Sequence, residues 1–132
     1  MATTPAFAST PAFGSGTITA AMTGTTAVPT NSVTVFTASS SGARVDEIDI
    51  CGLGTNVANV IRFWIYDGTT YSLLKEVQVS ALTASTTAAA YQNTLTFNNL
   101  VLPAAATAYT IKAAPAVVET NGFKISVFGG NF

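Results

Sequence analysis

Apolar and polar positions alternate along most of this chain with the two-residue period of β-strands. The pattern is densest from Asn59 to Val79. Val60, Ile61, Phe63, Trp64, Ile65 and Tyr66 precede Asp67-Gly68-Thr69-Thr70, and Tyr71, Leu73, Leu74, Val77 and Val79 follow it. β-Branched and aromatic residues suit a pleated, half-buried surface, and Asp-Gly supplies the positive φ of a tight reversal, so this stretch predicts a β-hairpin. Two registers are open. A four-residue loop puts Tyr66 opposite Tyr71 but sets Arg62 against Lys75, a like-charge pair that costs stability. A three-residue loop avoids that pair and is preferred. If Ile61, Phe63 and Ile65 face the core, Arg62, Trp64 and Tyr66 face outward.

The same rhythm recurs on both sides. Val33 to Thr37 alternates. Arg44 to Ile50 sets Ile48 and Ile50 on one face and Glu47 and Asp49 on the other. Asn93 to Phe97, Tyr109 to Ala113 and Phe123 to Phe128 follow, the last with Phe123, Ile125 and Val127 on one face. Turn signals separate these runs at Ser39–Gly42, Gly52–Asn56, Asn98-Asn99 and Asn121-Gly122. Ser80 to Ala90 is read as a loop, although its three consecutive alanines would support a helical turn. About eight short strands and no useful helix-period segment predict an all-β fold, an antiparallel β-sandwich of jelly-roll or Greek-key type. The long connections near 80–92 and 103–108 suit links that cross between sheets.

Residues 1–31 read as a different material. They carry no charge and repeat Thr4-Pro5-Ala6-Phe7 as Thr10-Pro11-Ala12-Phe13. Proline fixes φ and removes a donor, which favours extended backbone. Phe7 and Phe13 would be costly in water, and burying each is worth about 1.5–3 kcal/mol. The division expected is therefore an extended N-terminal arm over 1–31 that orders against another subunit, and a sandwich domain over 32–132.

Composition narrows the function. Only 8% of the 132 residues are charged, against roughly 25% in ordinary globular chains. The net charge is −1, and the five basic residues are scattered, so no nucleic-acid surface is expected. No apolar run is long enough for a spanning helix, and no membrane partner is expected. A nearly neutral protein tends to associate, which favours life in an assembly. The N-terminus lacks the basic start and apolar core of a signal peptide, so synthesis in a cytoplasm is expected.

Candidate chemistry is sparse. The chain has no histidine, which excludes His-dependent triads and zinc clusters. Cys51, the single cysteine, reads as a small buried apolar residue. Gly52-x-Gly54 matches no phosphate loop. Asp46, Glu47 and Asp49 offer oxygen ligands of the kind calcium takes, but lack the spacing of a calcium loop and read as a solvated strand face moderated by Arg44. Six acids give no sign of the convergence a glycosidase needs. No catalytic residue, metal or cofactor is expected. The aromatics carry the interaction reading instead. Trp64, Tyr66 and Tyr71 form either a sugar-stacking platform or, with Arg62, an outward patch covered by a neighbouring subunit.

Arg62 to Thr69 (RFWIYDGT), Leu73 to Val77 (LLKEV) and the closing Phe128 to Phe132 (FGGNF) resemble the hairpin and C-terminal ending of small phage structural proteins. The resemblance covers roughly residues 43–132. It implies a capsid decoration, or cement, protein of a tailed bacteriophage, a class of β-sandwich trimers that brace adjacent capsomers, often through a terminal arm. Its partners would be the major capsid protein and further copies of itself, and its place the virion surface. A receptor- or glycan-binding domain of a virion fibre is the alternative. The interface residues expected are Phe7, Phe13, Arg62, Trp64, Tyr66 and Tyr71.

Overall fold

A computed structural model describes residues 10–132. It contains eight strands: β1 (Thr10–Ile18), β2 (Val33–Thr37), β3 (Ala43–Gly52), β4 (Asn59–Tyr66), β5 (Tyr71–Val79), β6 (Gln92–Leu102), β7 (Thr110–Pro115) and β8 (Phe123–Asn131). They form two four-stranded antiparallel sheets. Sheet I has the order β1-β8-β3-β6, and sheet II has the order β2-β7-β4-β5. This is the β-sandwich expected. β1 pairs with β8, β2 with β7, β3 with β6 and β4 with β5. The topology is thus one long hairpin, rolled up from the Asp67–Thr70 turn into a jelly roll. Every connection except that turn crosses from one sheet to the other.

The inward positions of both sheets make one core. Ile48 and Ile50 of β3, Ile61 and Phe63 of β4, and Phe123, Ile125 and Val127 of β8 are fully buried. The period-2 alternation that predicted these strands is the alternation that buries these side chains, each contributing about 1.5–3 kcal/mol.

The N-terminal division differs from the expectation. Thr10–Ile18 is not part of an arm but the edge strand of sheet I, paired residue by residue with β8. Its inward positions are Ala12, Gly14, Gly16 and Ile18, so it shows no apolar alternation in sequence. The glycines have a physical reason. A Cβ at Gly14 would overlap the Val35 carbonyl oxygen, and one at Gly16 would lie 3.2 Å from Val33 and Val35. Side chains would hold β1 away from β2, and glycine lets the two sheet edges close. Residues 19–32 fold back over sheet II. Gly24 bridges Pro29, and Met22 donates its N–H to the Pro115 carbonyl at 2.8 Å.

The hairpin register also differs. Tyr66 stands opposite Tyr71, so the loop has four residues. The feared Arg62–Lys75 pair is absent because a bulge between Phe63 and Trp64 shifts the register and sets Arg62 opposite Glu76. The two side chains form an ion pair at 2.7 Å. One extra residue on β5 thus turns a like-charge pair into an attractive one.

Candidate interaction surfaces

The outward face of sheet II carries the predicted aromatic cluster. Bulk on this face comes from Arg62, Trp64 and Tyr66 on alternate positions of β4, as period 2 requires. Trp64 is nevertheless fully buried. The expectation that it lies in an exposed platform or intersubunit patch is corrected. The cover comes from the chain itself: the β1–β2 connection lies over the indole, and Nε1 donates to the Thr26 carbonyl at 2.7 Å. Nothing in residues 19–32 marks this contact, because the acceptor is a backbone carbonyl, which any residue type would supply.

Tyr66 and Tyr71 stack with ring centroids 4.3 Å apart. The Tyr66 hydroxyl donates to the Gly68 carbonyl at 2.8 Å. Lys112 of β7 lies over the Tyr66 ring, its Nζ 5.3 Å from the centroid, and donates to Thr34 Oγ1 at 2.8 Å. Both rings remain half-buried, and Leu73, opposite Trp64 on β5, is exposed. Below them Asp67 Oδ1 accepts from the N–H groups of Thr69 and Thr70 at 2.9 and 2.7 Å. These amides, Thr70 first, favour the carboxylate and lower the Asp67 pKa.

A second surface lies on sheet I. Phe13 of β1 pairs with Phe128 of β8, their rings tilted at 52° with centroids 5.2 Å apart. Phe13 is 61% exposed and Phe128 39% exposed. The next residue across the sheet is Glu47. Phe13, expected in an arm docked on another subunit, stands instead on the outer face of the edge strand β1, and Phe7 lies outside the described residues. Phe128 was missed as a surface residue. The signal was present, since Phe128 has the opposite parity to Phe123, Ile125 and Val127.

The acids do not converge. Among the described residues no three of His, Cys, Asp and Glu lie close enough to hold a metal ion. Arg44 pairs with Asp46 at 2.9 Å on the surface. Glu119 is buried and accepts from Asn59 Nδ2 at 2.8 Å and from the Val57 N–H at 3.4 Å. Asn59 Oδ1 in turn accepts from the N–H groups of Val60, Ala116 and Val117. This network holds the start of β4 against the β7–β8 connection, and its polar groups are spent on the fold. Cys51 is exposed, not buried. It has the parity of Glu47 and Asp49, opposite to Ile48 and Ile50. Aromatic side chains thus stand on the outer face of each sheet, Tyr66 and Tyr71 on sheet II and Phe13 and Phe128 on sheet I. Compared with protein-family models, with curated proteins and with solved structures, the chain gives no match.

Proposed function

We propose that this protein is a structural component of a virion, a decoration protein that binds the assembled shell of a tailed bacteriophage and braces adjacent capsomers. The observation that carries the reading is the Phe13–Phe128 pair, two large rings held in contact on an outward sheet face with most of Phe13 in water. A fixed aromatic pair of this kind is an anchor for a partner. The low charge of the chain, the jelly roll and the hairpin's resemblance to phage structural proteins support the same reading. The major capsid protein is the partner, and copies of this chain act together, as the trimer that the resemblance implies.

The mechanism is linkage. A protein that binds only the assembled lattice stabilises it by mass action, and copies joined in an oligomer add by avidity. The test is co-sedimentation with capsids lacking the protein. Phe13→Ser and Phe128→Ser each remove one ring from a site that already lies in solvent, so the fold survives. Each is expected to weaken shell binding by roughly tenfold or more, from the 1.5–3 kcal/mol a buried Phe is worth. Binding at wild-type strength by the double variant overturns the reading. Deleting residues 1–31 is no test of an arm, since it removes β1.

The glycan-binding alternative loses its central residue. Trp64 has no free face on which a sugar ring could stack, leaving only Tyr66 and Tyr71.

A further inference from the structure

The two sheets have four edges, and they are not protected equally. β1 and β2 close against each other along the glycine seam. β5 carries Lys75 and Glu76 and a bulge, the devices that keep strand edges from pairing. β6 has none of these over Gln92–Thr96. It holds no charge and no proline along its eleven residues, and its register breaks only beyond Thr96. No Cα of β6 lies within 8 Å of a Cα of β5. Among the described residues no backbone hydrogen bond reaches β6 apart from the β3 ladder. The Thr94 N–H turns to the Asn93 side chain at 2.8 Å. That amide therefore points away from β3, and by the period of the strand so does the Thr96 amide. Leu95 and Phe97 pack on the core from this edge but stay half-buried.

The chain contains a sequence already seen to add to an edge. Thr10-Pro11-Ala12-Phe13 pairs antiparallel with β8, with Pro11 opposite Gly130 and Phe13 on the outer face. An edge tolerates the proline, whose missing N–H needs no partner there. Thr4-Pro5-Ala6-Phe7 repeats that sequence six residues earlier. We propose that the Thr4–Phe7 segment of one copy adds as a strand to the free β6 edge of a second copy.

Reach decides between the same copy and another. Thr10, Asn131, Ala43 and Leu102 lie in one row across sheet I, with β1 and β6 at opposite ends. A strand added beside β6 lies four strand spacings from β1, about 19 Å away. Phe7 precedes Thr10 by three residues and reaches at most about 11 Å from it. The segment falls short of its own β6. A head-to-tail contact between copies has no such limit, and it closes into a ring when the rotation permits.

The test is amide exchange at Thr94 and Thr96 in the full chain, with light scattering to follow the oligomer. Both amides are expected to slow by at least roughly tenfold in the oligomer relative to the diluted monomer. Ala6→Pro with Phe7→Pro removes one N–H of each strand parity from the added segment, leaving only that of Thr4, and leaves residues 10–132 untouched. That double variant is expected to lose both the protection and the oligomer. A chain that stays monomeric, or an oligomer with no protection at these amides, overturns the proposal. So does protection that survives dilution, which would place the covering segment in the same copy. Protection that survives the double variant assigns the edge to another surface, such as β6 of the second copy, and also overturns it. No shell enters this experiment, so its failure leaves the decoration reading where the capsid assay puts it.

Discussion

The indole of Trp64 is tied to the backbone of Thr26, thirty-eight positions earlier in the chain, by one hydrogen bond of 2.7 Å. The contact joins the outer face of sheet II to the connection that leaves β1. It makes Trp64 a clamp for residues 19–32 and takes it out of any binding surface. Trp64→Phe keeps most of the apolar area and loses the hydrogen bond, so a cost of about 0.5–1.5 kcal/mol is expected. Trp64→Ala empties the site and is expected to cost about 3–5 kcal/mol. Urea unfolding of the two variants measures both. A Trp64→Ala protein within error of wild type would place the indole in solvent instead.

Glu119 and Asn59 make a similar clamp from polar atoms. The carboxylate accepts from Asn59 Nδ2 and from the Val57 N–H, and both residues are almost fully buried. Glu119→Ala leaves the Val57 N–H and one Asn59 Nδ2 hydrogen without an acceptor, while Nδ2 keeps the Val117 carbonyl at 3.1 Å, and the expected loss is about 1–3 kcal/mol. Glu119→Gln is the informative companion. Its amide oxygen still accepts from Asn59, but its NH2 group faces the Val57 N–H, donor against donor. It is expected to fall between wild type and Glu119→Ala in denaturant midpoint.

The parts of the fold that alternation wrote into the sequence were legible there. Ile48 and Ile50, Ile61 and Phe63, and Phe123, Ile125 and Val127 announce their strands because one face of each is buried. The Asp67–Thr70 turn was legible because Asp-Gly is demanded by the backbone, with Gly68 at φ 99°. What stayed hidden has a common physical cause. β1 keeps glycine at two inward positions because it must approach β2 closely, so its apolar signal vanishes and Phe13 reads as an arm residue. The bulge on β5 leaves no trace in composition, yet it decides the partner of Arg62. The cover over Trp64 is made by backbone, and a carbonyl acceptor has no residue type. On the surface, Phe128 and Cys51 were readable from parity alone.

The Asp67 carboxylate predicts an acid dependence with a definite sign. The Thr70 and Thr69 N–H groups hold its pKa below the ordinary Asp value in the folded state. A group with a depressed folded pKa contributes stability that is fully present above its unfolded pKa and is lost as pH falls through the folded one. The Asp67 resonance followed by carbon NMR is expected to titrate below that of an unstructured Asp. Asp67→Ala is expected to lower the denaturant midpoint at neutral pH and to narrow the gap to wild type in strong acid. A gap that widened on acidification would show that the side chain does not accept from these amides.

Gly14 tests how the two sheet edges meet. The atom its Cβ would strike is the Val35 carbonyl oxygen, with the Phe36 Cα next at 2.9 Å. Both are backbone, so no rotamer change relieves the overlap, and β1 must move away from β2. Gly14→Ala is expected to cost about 1–3 kcal/mol, the range for overpacking a closed site. Gly16→Ala is the control on the same strand. Its nearest neighbours are the methyl groups of Val33 and Val35 at 3.2 Å, which yield by a few tenths of an ångström, and a smaller loss is expected. The ordering matters more than either value. If β1 is held by the seam, Gly14→Ala unfolds at lower denaturant than Gly16→Ala and raises amide exchange along β1 and the facing residues of β8. If β1 were a loosely attached arm, both variants would unfold with wild type, because a segment outside the fold has the same freedom in the folded and unfolded states.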